Sequence, residues 1–254
     1  MFRAPAWAAQ FPDLAVAEST RHGGVSPAPY QSLNLGWSTE DAPENTAENR
    51  RRFAEALGFG ELQMASSHQV HGNEVLKVMS PGRYDGYDAL ITQEPGILLA
   101  VSVADCVPVL IYDPANKAIA AIHAGWRGAA TGIVAKTIAQ MYSEFQTNPA
   151  DCFAFIGTCI DECSFEVNVD VADHFAEDFK RWDPALNKFF VDLKNANKSQ
   201  LLTAGLSENR IEISPFSTVI HNEDYFSHRK EKGITGRFTG AIGKFSHSHT
   251  PTRS

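Results

Sequence analysis

Long apolar runs are missing from this sequence. The longest apolar stretch, residues 97–103, ends shortly before Asp105, whereas a helix that spans a bilayer needs about 20 apolar residues. The first residues, Met1 to Pro5, also lack the apolar segment and the small-residue cleavage site of a secretory signal. We therefore expect a cytoplasmic protein that has no membrane partner.

Cysteine is scarce as well. The chain has four such residues, which are Cys106, Cys152, Cys159 and Cys163. They are sufficient for two disulfides, but disulfide-dense chains are usually small secreted domains, so we expect these thiols to stay reduced. Reduced thiolates remain available to bind a metal ion or to act as nucleophiles.

Positive charge is in short supply. The sequence has 22 Lys and Arg against 30 Asp and Glu, which gives a formal net charge of −8. Proteins that bind nucleic acid hold the phosphate backbone mainly through clustered Lys and Arg side chains. Nucleic acid is therefore not an expected partner.

What the chain does have is enough apolar material for a substantial core. With 254 residues, of which 43% are hydrophobic, it can form one large domain or two small ones. We find no internal repeat. The prediction is a single catalytic domain over residues 1–245, followed by a polar tail over residues 246–254 that contains His247 and His249.

Hydrophobic periodicity predicts a mixed α/β architecture. Short runs rich in Val, Ile and Leu predict strands at residues 14–19, 75–79, 88–92, 97–103, 107–112, 118–123, 152–156 and 210–213. Apolar positions at helical spacing predict helices at residues 44–57, 128–145, 169–181 and 194–204. The strands between residues 75 and 123 are expected to form the centre of the sheet structure.

Metal-binding residue types occur in three segments, at the ends of predicted strands. The candidates are His71, Cys106 and His123. Zinc favours nitrogen and sulfur ligands, and a catalytic zinc site characteristically has three protein ligands and one open position. Taken singly, a cysteine is more often a small buried apolar residue and a histidine more often satisfies a backbone group. The three lie far apart in sequence, so only the fold can bring them together.

These segments resemble the signature motifs of a known family. The motifs are His68-Gln69-Val70-His71-Gly72, Ala104-Asp105-Cys106-Val107-Pro108-Val109 and His123-Ala124-Gly125-Trp126-Arg127-Gly128. They are similar to those of the bacterial laccase-domain family, whose members are also called purine nucleoside phosphorylases or polyphenol oxidases. The resemblance extends over nearly the whole chain, from Thr20-Arg21-His22-Gly23-Gly24 to Thr235-Gly236-Arg237.

The resemblance implies an α+β protein, a four-layer α/β/β/α sandwich with mixed β-sheets. It also implies a His-Cys-His site on His71, Cys106 and His123 for zinc, with copper as the other metal. The implied activity is phosphorolysis of adenosine, inosine, guanosine and methylthioadenosine, together with deamination of adenosine. The partners would then be purine nucleosides and phosphate, and the protein would be a monomer or a homodimer.

Several further residues are candidates for substrate binding. A guanidinium offers paired donors to phosphate oxygens, which makes Arg21 the first phosphate candidate and Arg229 the second. Arg127 begins a predicted helix, where it could orient an anion or pair with a carboxylate. Asn34 could bind the nucleoside, although asparagine in a turn often serves the backbone.

Cys106, Asp105 and His68 are the catalytic candidates. Asp105 adjoins the metal cysteine and could move a proton or orient a histidine ligand. Neighbouring residues of a strand point to opposite faces, however, so Asp105 would face away from Cys106 unless a turn intervenes. His68 could assist proton transfer, under the same restriction with respect to His71.

Three other functions remain open at this point. The first is a copper polyphenol oxidase, although multicopper sites use many histidines and the chain has nine in total. The second is a cysteine hydrolase that edits peptidoglycan precursors, with Cys106 as nucleophile and His71 or His123 as base. The third is a binding module stabilised by a closed zinc site, for which Cys159 or Cys163 would supply the fourth ligand.

Overall fold

The computed structural model describes residues 1–246, which form fifteen β-strands and five α-helices. The strands are β1 Phe2–Arg3, β2 Leu14–Ser19, β3 Met64–His68, β4 Val75–Lys77, β5 Gly82–Asp85, β6 Ala89–Thr92, β7 Leu98–Val103, β8 Val107–Asp113, β9 Ala118–Ala124, β10 Phe153–Ile156, β11 Glu166–Val167, β12 Lys180–Asp183, β13 Lys188–Val191, β14 Ile211–Ile213 and β15 Phe238–Lys244. The helices are α1 Pro43–Ala56, α2 Trp126–Ala130, α3 Ile133–Phe145, α4 Val169–Ala172 and α5 Leu193–Thr203. None of the helices in this range has the length and apolarity that a bilayer crossing requires.

Two mixed six-stranded sheets and one small antiparallel sheet make up the β structure. The first sheet has the order β1-β2-β15-β7-β3-β5, and the second has the order β14-β10-β8-β9-β6-β4. The third sheet pairs β11, β13 and β12. The predicted α+β class with mixed sheets is thus confirmed.

Three apolar clusters order these elements in space. One cluster lies between the two large sheets, where Val101 and Ile242 of the first sheet meet Leu110 and Ile119 of the second. Another packs α1, through Phe53, on the outer face of the first sheet. The third packs α3 and α5 on the outer face of the second sheet. The four-layer α/β/β/α sandwich that the resemblance implies stays a prediction.

The chain crosses from the first sheet to the second at two places that matter for the site. One crossing joins β3 to β4 and contains His71, and the other joins β7 to β8 and contains Asp105 and Cys106. Both crossings use left-handed backbone, with φ of 58° at His71 and 85° at Asp105. Functional side chains therefore gather where the two sheets are connected.

Most predicted elements are present, but one helix prediction is wrong. Of residues 169–181, only Val169–Ala172 is α-helical; Glu177–Phe179 is a short 3-10 helix, and Lys180–Asp183 is a strand that pairs with Lys188–Val191. In this hairpin the ring of Trp182 packs against Phe189, with centroids 4.8 Å apart. Cross-strand pairing has overridden the local helical periodicity. The predicted helix over residues 128–145 is also interrupted, because Gly132 adopts a left-handed φ of 77° and separates α2 from α3.

Strand β15, in the middle of the first sheet, was not predicted. Gly240 and Gly243 weaken its strand signal, yet close packing requires them. A Cβ at Gly240 would lie 2.8 Å from Cβ of Pro108, and one at Gly243 would lie 2.7 Å from the Phe59 ring. The single domain over residues 1–245 remains a prediction, and His247 and His249 lie outside the described residues.

Candidate metal centre

The structure brings His71, Cys106 and His123 together. One ligand atom from each side chain can be chosen so that all lie within 4.8 Å of one another. His123 is in β9 next to β8, and register pairs Val107, which follows Cys106, with Ala124. The His71 and His123 rings meet edge to face at 81°. Among residues 1–246 this is the one group of three or more His, Cys, Asp or Glu side chains arranged to hold an ion, so Cys159 and Cys163 add no fourth ligand there.

Asp88 holds two of the three ligand residues in place. Its Oδ1 accepts hydrogen bonds from Nδ1 of His123 at 2.7 Å and from the backbone N–H of His71 at 3.0 Å. Its Oδ2 accepts from the backbone N–H groups of Gly72 and Val70. A carboxylate on Nδ1 fixes the histidine tautomer and leaves Nε2 free for a metal ion. Asp88 therefore orients His123 and shapes the turn that carries His71.

The charges of these groups suit a thiolate ligand. Burial alone raises the pKa of the Cys106 thiol, but His123 and His71 outweigh burial and lower that pKa to about 6. Burial lowers the pKa of His123, whereas the Cys106 thiolate and Asp88 raise it to about 9. For Asp88, burial opposes ionisation, yet hydrogen bonds from His123 and from backbone N–H groups keep its pKa below the usual range.

Gly125 leaves the space beside these donors open. A Cβ at this position would lie 2.9 Å from Cδ2 of His71, 3.3 Å from Sγ of Cys106 and 3.6 Å from Cε1 of His123. The donor set of two imidazoles and one thiolate matches a catalytic zinc site, in which a fourth position stays open. The residues present therefore fit a single zinc ion.

Replacing Gly125 with alanine is expected to weaken metal binding. The backbone of Gly125, with φ of −66°, accepts any residue, so the effect comes from the Cβ that pushes on the ligands. Overpacking of this kind typically strains a site by about 1–3 kcal/mol, which corresponds to a loss of zinc affinity of about 5- to 150-fold. Zinc titration with a competing chelator measures it. Gly60→Ala is the control, since its Cβ would approach nothing closer than 3.6 Å. An unchanged zinc affinity in Gly125→Ala would contradict the assignment of His71, Cys106 and His123 as metal ligands.

Asp105 turns away from the metal ligands. Its left-handed backbone aims the carboxylate at the C-terminal part of the chain, where Oδ1 accepts from the hydroxyls of Thr218 and Ser227. Oδ2 accepts from the backbone N–H of Arg229 at 2.6 Å. With these bonds Asp105 ties the crossing that carries Cys106 to the loop that carries Arg229, which makes it a positioning residue in our proposal.

A cavity of about 510 Å³ lies over the His-Cys-His group. The cavity is lined by three of the predicted site residues, His68, Arg127 and Arg229, and by Arg83 and Arg237. Aromatic surface is provided by Trp37, Trp126 and Phe165. A wall that combines aromatic surface with several cations suits a neutral heterocycle and an anion.

His68, Arg127 and Arg229 each have a distinct setting in the cavity. His68 is exposed and its Nδ1 lies 2.8 Å from Oδ1 of Asp85. The guanidinium of Arg127 stacks on Trp126 at 4.4 Å. The guanidinium of Arg229 donates to the backbone carbonyls of Ser164 and Glu166, at 3.1 and 3.2 Å.

Arg21 and Asn34 do not line the cavity. Arg21 donates to the carbonyls of Gln31 and Asn222 and pairs with Glu231 at 3.1 Å. Asn34 is fully buried, where its amide nitrogen donates to Asp41 and its Oδ1 accepts from the backbone N–H of Arg237. Both side chains hold loops together in the structure, and their part in substrate binding stays a prediction.

Three residues of the site were not singled out from sequence. Asp88 looked like an ordinary strand-end aspartate, and Arg237 appeared within a motif without an assigned role. Gln69, between the two histidines of its motif, uses its amide to donate to the carbonyl of Ser102 and to accept from the Ser102 N–H. The one sequence signal for Gln69 was its place between His68 and His71.

Comparison with known proteins agrees with this geometry. A family model described as multi-copper polyphenol oxidoreductase laccase matches residues 15–244. A protein of Deinococcus radiodurans named purine nucleoside phosphorylase is 40% identical over 236 residues, which cover 91% of this chain and 90% of that protein. Purine nucleoside phosphorylase YlmD of Geobacillus stearothermophilus is 34% identical over 242 residues, with 89% and 88% covered.

The fold agrees with a solved structure as well. The crystal structure of YlmD from Geobacillus stearothermophilus superposes with a TM-score of 0.90 at 32% sequence identity. The alignment covers 96% of this chain and 99% of that one. The arrangement of sheets and helices is therefore shared over the full length of the relative.

Proposed function

The chain belongs to the laccase-domain family, and from that premise we propose that it is a zinc-dependent purine nucleoside phosphorylase. The proposed substrates are adenosine, inosine, guanosine and methylthioadenosine, each with inorganic phosphate. Adenosine is also deaminated. Relatives named purine nucleoside phosphorylase support an enzymatic role on nucleosides, and the proposal adds the metal, the substrates and the second reaction.

The observation that carries the proposal is a three-donor metal site beneath a cationic cavity. His71, Cys106 and His123 offer two nitrogens and one sulfur, the donor set that zinc shares with other catalytic sites. The cavity above them is large enough for a nucleoside, at about 510 Å³. When bound, zinc supplies Lewis acidity at the base of this cavity.

Phosphorolysis requires positioning of two reactants. An oxygen of phosphate forms a bond to C1′ of the ribose while the bond from C1′ to N9 of the purine breaks, and its electron pair leaves with the base. Arg127 and Arg229 contribute positive charge to the cavity that receives the anion. Trp126 and Phe165 provide flat apolar surface for the purine. The leaving base then needs one proton.

His68 is placed to provide that proton. The contact between its Nδ1 and Asp85 leaves Nε2 free, and the side chain lines the cavity. His68 would donate a proton from Nε2 to the departing purine. In deamination, water adds to C6 of adenosine and ammonia leaves, and the same histidine would shuttle the proton from the water to the amino group.

Incubation of the purified protein with inosine and phosphate tests the main reaction. We expect hypoxanthine and ribose 1-phosphate in equal amounts, separated by chromatography, and no hypoxanthine above background when phosphate is omitted. Adenosine without phosphate is expected to give inosine and ammonia. Hypoxanthine released equally fast without phosphate would identify a hydrolase and contradict phosphorolysis.

Copper polyphenol oxidase is a second candidate, favoured by the description of the matching family model. Copper could occupy the same three donors, because imidazole and thiolate also suit that metal. A multicopper reaction needs several ions, whereas the described residues form one such group. Metal analysis combined with a phenol oxidation assay distinguishes the candidates, since stoichiometric copper with fast oxidation would replace the zinc proposal.

A cysteine hydrolase is the third candidate, favoured by the low pKa of Cys106, about 6, next to His123. A thiolate beside an imidazole is a competent nucleophile. Alkylation separates this candidate from a metal ligand, because a thiolate bound to zinc is shielded from iodoacetamide. If iodoacetamide alkylates Cys106 at the same rate in the presence and in the absence of zinc, the hydrolase is supported.

A further inference from the structure

Arg237 is the least exposed of the four arginines that line the cavity, and it lies beside the metal ligands. It directly precedes β15 and lines the cavity with Asp105 and Cys106. Burial lowers the pKa of its guanidinium, while the negative charges of Cys106 and Asp105 act in the opposite direction. A partly buried cation of this kind is stabilised by an anion that enters the cavity.

The hydrogen bonds of Arg237 leave one edge of the guanidinium free. Nη1 donates to the backbone carbonyls of Thr235 and Gly236, each at 3.0 Å. Within residues 1–246, neither Nε nor Nη2 has a hydrogen-bond partner, and no carboxylate forms an ion pair with this side chain. The two free N–H groups lie on one edge, the arrangement that binds two oxygens of a phosphate at once.

Arg229, another arginine of the cavity, is less suited to binding the anion. Both terminal nitrogens of Arg229 already donate to backbone carbonyls. Its guanidinium is therefore largely committed to the protein, whereas that of Arg237 has a complete edge in reserve.

The backbone and stem of Arg237 are held firmly. Oδ1 of Asn34 accepts from its backbone N–H at 2.9 Å, and its carbonyl accepts from the N–H of Leu35 at 2.9 Å. Gly36 leaves room for the stem, since a Cβ there would lie 3.0 Å from Cγ of Arg237. Asn34 thus acts on the site through Arg237. A fixed guanidinium loses little conformational entropy when an anion binds.

We propose that Arg237 binds the inorganic phosphate that serves as the second substrate, through Nε and Nη2. The inference rests on the proposed function for the identity of the anion. Phosphate held on this edge lies beside the metal ligands, with a third oxygen directed at C1′ of a nucleoside in the same cavity. That oxygen forms the new bond to C1′ as the bond to N9 breaks, and the ribose leaves as its 1-phosphate.

Calorimetric titration of the zinc-loaded protein with inorganic phosphate alone tests this assignment. Arg237→Gln is expected to weaken phosphate binding by about tenfold or more, and Arg237→Lys by less, because lysine keeps the charge and loses the paired donors. Arg210→Lys is the control, since Arg210 also donates to a backbone carbonyl, that of Ala150, but does not line the cavity. Zinc content and thermal unfolding are measured for each variant.

Binding and turnover separate this inference from the proposed function. Loss of phosphate affinity in Arg237→Gln with normal zinc content supports the assignment, even if no nucleoside is cleaved. Phosphate affinity within about twofold of the parent, against the tenfold expected for a paired contact, overturns it while leaving phosphorolysis intact. Binding of adenosine 5′-monophosphate through Arg237 without any binding of inorganic phosphate also overturns it. The inference is also overturned if the parent protein binds no phosphate. If Arg237→Gln misfolds, the phosphate affinity of Arg237→Lys takes its place in this comparison.

Discussion

Replacing Cys106 with alanine is expected to abolish phosphorolysis and deamination together, along with zinc binding. The variant keeps two imidazoles, which leave a zinc ion without the thiolate that its charge favours. Residues that only orient ligands change metal affinity by about 10–100-fold when they are replaced, so loss of a ligand should exceed roughly a hundredfold. Zinc content after dialysis and product formation from inosine and adenosine measure the effect.

Cys163→Ala is the matched control for this variant. Cys163 is an exposed free cysteine, and it does not line the cavity. We expect it to retain zinc and both reactions. If Cys106→Ala kept either reaction at the parent rate, that reaction would be independent of the metal centre.

Cys106→Asp distinguishes a ligand from a nucleophile. Zinc also accepts carboxylate oxygen, so this variant should bind more zinc than Cys106→Ala and recover part of the activity. A cysteine nucleophile has no such substitute, because the thiolate itself forms the covalent bond. Zinc retained with no activity at all in Cys106→Asp would favour the hydrolase.

The three metal-binding residues could be predicted from sequence, but the residue that orients two of them, Asp88, could not. His71, Cys106 and His123 attract attention because few side chains bind zinc and each stands at a strand end. Asp88 is separated from the His123 ring by 35 positions and from the Gly72 N–H by 16, and nothing local marks it as their partner. Such contacts arise only when β6 pairs with β9 on one side and with β4 on the other.

The same limit applies to the binding candidates. Arg21, beside two glycines, has the local features of an anion site, yet Glu231 neutralises it from 210 positions away. Arg237 has no such carboxylate among residues 1–246, and that distinction depends on the tertiary structure. Local patterns likewise favour a helix over residues 169–181, but the α-helix ends at Ala172 and Lys180–Asp183 forms a hairpin with Lys188–Val191.

Replacing Asp88 with asparagine is expected to damage both the metal site and the fold. The carboxylate accepts four hydrogen bonds on two oxygens, one from His123 and three from backbone N–H groups. An asparagine has one acceptor oxygen. If the amide nitrogen takes the place of Oδ1, it donates to Nδ1 of His123. The imidazole proton must then lie on Nε2, where a metal would bind. If the amide nitrogen takes the place of Oδ2, it faces the backbone N–H groups of Gly72 and Val70, which then lose their acceptor.

We expect zinc affinity to fall by about 10–100-fold in Asp88→Asn, and the free energy of unfolding to fall by roughly 3–5 kcal/mol, as for a broken buried charge pair. Asp113→Asn is the matched control. Asp113 is equally buried, at the far end of β8, and accepts from the backbone N–H groups of Ala115 and Asn116. It should lower stability without changing zinc affinity, because the far end of β8 does not contact the ligands. Equal zinc affinity in the Asp88 variant and the parent, measured by chelator competition below the unfolding temperature, would show that Asp88 supports the fold alone.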